Sequence, residues 1–145
     1  MMRVVFATAA FALAITAVAA QSDPIAARKA MMKTNGDQAK IGSAMAKGDA
    51  PFDLAKAKAA FAAFEECGEK GPSLFPDDSK AGGETAALPQ VWEDKADFNA
   101  KFAKFAADAK AAGASVTDLE SFKTAWTGVA EDCGGCHKVY RAKKS

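Results

Sequence analysis

No stretch of this 145-residue sequence alternates β-branched with polar residues at the period of a strand, so nothing in it argues for a sheet. Past residue 20 there is no apolar run long enough to span a bilayer. Internal repeats and heptads of coiled-coil length are missing too, and low complexity is confined to alanine richness. Charge of one sign is not in excess: 19 Lys and Arg face 18 Asp and Glu, which excludes a general electrostatic grip on nucleic acid or on anionic lipid. Histidine occurs once and cysteine three times. In an oxidising compartment three cysteines would ordinarily form one disulfide and leave one thiol over.

What is present begins with a leader. MMRVVFATAAFALAITAVAA carries one charge at Arg3, an apolar run from Val4 to Ile15, and small residues at Val18 and Ala20. That is the pattern of a signal peptide over residues 1–20, cleaved before Gln21, and the run is too short to be kept as a span. The alternative, an uncleaved anchor, lacks a basic stop-transfer flank. The expected mature chain, residues 21–145, is a single exported periplasmic domain with no stable membrane insertion. Loss of Arg3 leaves 18 basic and 18 acidic residues, a balance of zero.

Four stretches have the 3.6-residue apolar period of amphipathic helices. Asp23 and Pro24 start the first, which is expected to run to Lys47 before Gly48 and Pro51. Gly36 and Gly42 inside it read as sites of close backbone packing. Asp53 caps the second, with Leu54, Ala57, Phe61 and Phe64 on one face and an end near Gly68 and Gly71. A long Gly/Pro/Ser/Asp-rich connection follows, to be clamped by its own Leu74 and Phe75. Pro89 opens the third helix, bearing Val91, Phe98, Phe102, Phe105 and Ala109 and stopping at Gly113. The fourth starts at Thr117, with Glu120 completing a capping box. Its stripe is Leu119, Phe122, Trp126, Val129, Cys133, Cys136 and Tyr140. The fold class is therefore all-α, an antiparallel up-down four-helix bundle.

The fourth helix ends in EDCGGCHKVYR, where two cysteines and the only histidine fall within five residues. A thioredoxin-type dithiol gains its low pKa at a helix N-terminus, whereas these thiols sit at a C-terminal end, where the dipole raises it. Structural zinc needs four converging ligands. Cys136 and His137 point about 100° apart on a helix, and the fourth candidate, Cys67, is distant in sequence. Cys133-x-x-Cys136-His137 is instead the pattern of covalent c-type haem attachment, with the imidazole four residues after the first cysteine and so near it on the helix surface.

Over the mature chain the sequence resembles the class II c-type cytochromes, whose haem rides on the C-terminal helix of a four-helix bundle. The resemblance rests on Arg28-x-x-x-Met32 with Lys33-Thr-Asn-Gly36, on Leu74-Phe75-Pro76 and Gly82-Gly83-Glu84, on Pro89-Gln-Val-Trp92, and on Cys133-Gly-Gly-Cys-His-x-x-Tyr-Arg141. It implies one haem c, covalently held by Cys133 and Cys136, with His137 as proximal iron ligand. It places residue 32 on the distal side; methionine there is the mark of the low-spin cytochromes c-556, to which the chain looks closest, and an apolar residue there that of the five-coordinate cytochromes c′. Met32 as a core methionine, and Met31 as the ligand one register away, stay open.

The same resemblance implies haem contacts from Arg28 and Lys29, from Phe75 over the haem edge and from Glu84 or its neighbour Thr85, with Arg141 on the proximal side. Trp92, Trp126 and Tyr140 read as core aromatics, and Cys67 as a small core residue. The expected function is one-electron transfer between redox partner proteins, not enzymatic catalysis, by a monomer or homodimer that binds no nucleic acid. The alternatives are a five-coordinate cytochrome c′ binding nitric oxide or carbon monoxide, and a haem-free helical module with a disulfide.

Overall fold

The computed structural model describes residues 23–143; the signal peptide expected at residues 1–20 lies outside the described residues. Helix α1 spans Pro24–Lys47, α2 Leu54–Lys70, α3 Gln90–Glu93, α4 Lys95–Ser115 and α5 Leu119–Tyr140. Helices α1, α2, α4 and α5 form the bundle, with α2 laid along α4, α4 against α5, and α1 against α2. Each long helix begins on an aspartate whose side chain takes one of the orphan N–H groups of the first turn. Asp23 accepts from Ile25 N at 2.9 Å, Asp53 from Lys56 N at 3.0 Å, Asp94 from Asp97 N at 3.2 Å and Asp118 from Ser121 N at 2.8 Å. Gly48 ends α1 in the left-handed region at φ 82°, which a residue with a Cβ enters only with strain.

Three boundaries differ from the sequence reading. The third helix is broken: Pro89 opens only the single turn of α3, and at Asp94 the backbone leaves helical angles (φ −124°, ψ 62°) before α4 starts with that aspartate as its cap. Helix α4 also runs two residues past Gly113, to Ser115. The last helix is boxed one residue later than expected, by Asp118 and Ser121, where the Ser121 hydroxyl oxygen accepts from Asp118 N at 3.0 Å.

The core divides into two aromatic clusters. Phe61, Phe64, Phe122 and Trp126 pack with ring centroids 5.4–6.0 Å apart, filling one half of the bundle. Gly42 of α1 lies on the Trp126 ring, and a Cβ there would overlap the indole, so this glycine is the close approach the sequence suggested. In the other half Phe98 sits among Phe75, Phe102 and Tyr140 at 4.8–5.1 Å. The 71–89 connection is drawn onto this cluster by Phe75, which is 7 % exposed, and Leu74 is half-buried beside it. Each buried phenylalanine contributes roughly 1.5–3 kcal/mol of apolar burial.

Candidate functional site

Along α5 the core stripe starts solid and then thins. Phe122, Trp126 and Val129 are buried, Cys133, Cys136 and His137 are half-buried, and Tyr140 is buried again. The burial missing from the middle three belongs to a cleft between α1 and α5. One lobe, about 250 Å³, is bordered by Met32, Gly36 and Ala39 of α1, Phe64 and Cys67 of α2, and Cys133 of α5. A second lobe, about 160 Å³, lies toward Arg28, Phe75, Thr85 and Tyr140. Met32, Phe102, Cys136, His137 and Arg141 border both.

Burial sets the protonation states here. The Cys133 thiol is pushed up first by desolvation and then by the Asp132 charge; Cys136 is pushed up by desolvation, with Lys101 opposing. Both stay protonated and poorly nucleophilic, as a helix C-terminal position suggested and a dithiol exchange centre would not tolerate. His137 is pushed down, mostly by burial and further by the nearby Arg141 charge, which favours the neutral imidazole with a free lone pair. Among the described residues no three His, Cys, Asp or Glu side chains converge as a metal site, and Cys67, Cys133 and Cys136 form no disulfide.

The structure brings most of the sequence candidates to the cleft. Met32 borders both lobes and Met31 neither. Phe75 lines the second lobe beneath the Arg28 guanidinium, 4.8 Å from its ring centroid. Arg28 also lines that lobe, but its guanidinium is committed elsewhere. Nη1 donates to Leu74 O at 3.2 Å and Ser79 Oγ at 2.8 Å; Nη2 donates to Ser79 O at 3.1 Å and Thr85 Oγ1 at 2.7 Å. Of its five donors only Nε–H is left. Lys29 borders the cleft, whereas Glu84 does not; its exposed carboxylate pairs with Lys29 at 3.5 Å.

Several lining residues escaped the sequence reading as site residues. Asn35, Gly36 and Ala39 follow Met32 at three, four and seven residues, so the helical period alone could have found them. Gly36 meets nothing within 4 Å of where a Cβ would be: it is open to the cleft, not a close-packing glycine. Cys67, Lys101 and Asp132 come from three other helical positions with no pattern linking them in sequence. Asp132 binds Lys104 through Oδ1 at 2.6 Å, while its Oδ2 is buried without a hydrogen-bond partner.

An apolar cleft in a four-helix bundle, with two protonated thiols and a neutral imidazole on one helix at C-x-x-C-H spacing, defines a class: the bundle-type c-type cytochromes. The chain belongs to the cytochrome c′ family, whose model, described as Cytochrome C′, matches residues 23–141. It is similar to cytochrome c′ of Rhodopseudomonas palustris, 50 % identical over 126 residues that cover 87 % of this chain and 86 % of that protein. It is also similar to cytochrome c-556 of the same organism, 32 % identical over 148 residues and 99 % of each chain. The solved structure of cytochrome c′ from R. palustris superposes with a TM-score of 0.83, covering 86 % of this chain and all of that one.

Haem c is the cofactor of this family, and the residues present fit it. The two lobes together fall within the roughly 300–1,000 Å³ of cofactor sites. Their lining is mostly apolar, both thiols of the motif reach them, and the glycine at 36 leaves space where any other residue would project.

Proposed function

We propose that the protein is a periplasmic one-electron carrier in which Cys133 and Cys136 hold haem c through thioethers, with His137 and Met32 as the axial ligands of its iron. The observation that carries this reading is Met32, which comes from a different helix than His137 yet borders the same two lobes. Haem c supplies the one-electron ferric/ferrous couple when bound. Burial keeps the His137 imidazole neutral and ready to donate its lone pair. The Met32 thioether is also neutral; as a ligand it would favour the reduced state, raise the potential and keep small gases from the iron. Phe75, Phe98 and Phe102 keep water from one side of the cleft.

Lys29, Lys101 and Arg141 give the rim a basic character suited to haem carboxylates, and Arg28 has one donor left to add. Among the described residues no helix is long and apolar enough to cross a membrane, in keeping with a carrier that meets redox partner proteins by diffusion. A monomer or homodimer serves that role equally.

A second reading is favoured by the higher identity to a protein named cytochrome c′ than to one named cytochrome c-556. In it Met32 is only packing, the iron is five-coordinate, and the ligand is nitric oxide or carbon monoxide. The visible spectrum of protein from a host that matures c-type cytochromes separates the two. A sharp ferrous α band with a ferric methionine–sulfur band in the red supports the carrier, and Met32→Ala should convert that spectrum to a high-spin one. A high-spin wild type sinks the Met32 assignment, and absence of covalent haem sinks the whole site.

A further inference from the structure

If Met32 and His137 are axial ligands, as proposed above, something must fix the spacing of the two helices that carry them. Direct packing does this only beyond the cleft, where Gly42 meets Trp126; α1 and α5 touch least among the neighbouring pairs of the bundle, and the cleft lies between them. At the cleft itself a chain of hydrogen bonds connects them. Arg28 stands one turn before Met32 on the same face of α1, 5 % exposed, and its guanidinium grips Leu74, Ser79 and Thr85 of the long connection. Thr85 Oγ1 also accepts from Ala87 N at 3.2 Å. The next residues pair in antiparallel fashion with the end of α5: Ala142 N donates to Ala86 O at 2.8 Å, and Leu88 N donates to Tyr140 O at 2.9 Å. Arg141 N in turn donates to His137 O at 3.2 Å, one turn back.

We infer that residues 79–88 form a strap that positions Met32 against His137, and that Thr85, the point where the Arg28 fork meets the paired segment, is its positioning residue. Thr85, Ala86 and Ala87 line the second lobe, so the strap is also a wall of the cleft. A thioether is a weak iron ligand that stays bound only while the helices keep their spacing. Carbon monoxide binds ferrous iron only when Met32 is off, so its apparent affinity reports the Met-off fraction directly.

The test uses the holoprotein with Thr85→Val, which keeps the shape and removes the hydroxyl. Loss of this half-buried charge-assisted bond should raise the Met-off fraction about tenfold. Carbon monoxide affinity should then rise about tenfold, a high-spin component should appear in the ferric spectrum, and the Leu88 and Ala142 amides should exchange hydrogen faster. Thr85→Ser keeps the hydroxyl and should behave as wild type. Asp118→Ala, at the far end of α5, should lower stability without moving spectrum or affinity, which separates positioning from general loosening. Faster exchange at Leu88 and Ala142 with unchanged spectrum and affinity overturns the inference; unchanged exchange overturns the assignment of Thr85. If Thr85→Val does not fold, Arg28→Lys, which keeps the charge but loses the fork, is read by the same criteria. A high-spin wild type, or a Met32→Ala variant with the wild-type spectrum, removes the ligand reading itself, a failure distinct from that of the strap.

Discussion

Three glycines in helical segments should respond to the same substitution in three ways, and the contrast measures what fills the cleft. Glycine in an exposed helix interior costs about 1 kcal/mol relative to alanine. Gly128 on the outer face of α5 meets nothing within 4 Å, so Gly128→Ala should gain about that 1 kcal/mol. Gly42 lies against Trp126, whose ring is held by Phe61, Phe64 and Phe122 at 5.4–6.0 Å and cannot retreat. Overpacking costs about 1–3 kcal/mol, so Gly42→Ala should be neutral to destabilising by about 2 kcal/mol. Gly36 also has open space around it, but that space is the cleft. With haem in the cleft, the added methyl should cost as much as an overpacked core position, and Gly36→Ala should resemble Gly42→Ala, not Gly128→Ala. Urea unfolding of the three holoproteins, compared at equal m-values, reads the sign directly. A gain of about 1 kcal/mol in Gly36→Ala, with the visible spectrum unchanged, would refute the placement of the porphyrin against α1.

Two further outcomes follow from the titratable groups. The Cys67 thiol is pushed up to about 11, chiefly by burial, so a thiol reagent at pH 8 should label native holoprotein about a hundredfold more slowly than an exposed cysteine. Equal rates before and after unfolding would refute its burial. Asp118 is held below the ordinary carboxylate range by the Ser121 N–H and hydroxyl bonds it makes as the cap of α5. Its folded pKa is depressed, so its stabilising contribution is whole above the unfolded value near pH 4 and is lost as pH falls through the folded value. Melting temperatures between pH 6 and pH 2 should therefore fall less steeply for Asp118→Asn, which keeps a capping oxygen that does not titrate; parallel curves would contradict this.

Much of the bundle was legible in the sequence because capping and periodicity are local. Asp23 with Pro24, Asp53 and the α5 stripe needed only neighbours within a few residues; α1 and α2 start where these predict, and α5 one residue later. The break at Asp94 was not legible, since Pro89 and the apolar spacing fit one continuous helix. What decides it lies far off in sequence: Trp92 Nε1 reaches Phe75 O at 3.2 Å and Pro76 O at 3.1 Å, and Lys95 Nζ also binds Phe75 O, turning α3 toward the long connection. Gly36 and Gly42 show the same limit. Both are glycines in one helix, and only their surroundings make one a contact with Trp126 and the other an opening onto the cleft.

By itself the sequence determined the helices, the apolar faces that must be buried and the chemistry of the C-x-x-C-H cluster, because these depend on residue type and short-range spacing. Tertiary structure alone decided which methionine borders the cleft, since Met31 and Met32 differ only by one step around α1 and the direction of the cleft is set by packing of the other helices. It alone decided the task of Arg28, whose partners lie 46 to 57 residues away, and with it the connection between the two sides of the cleft.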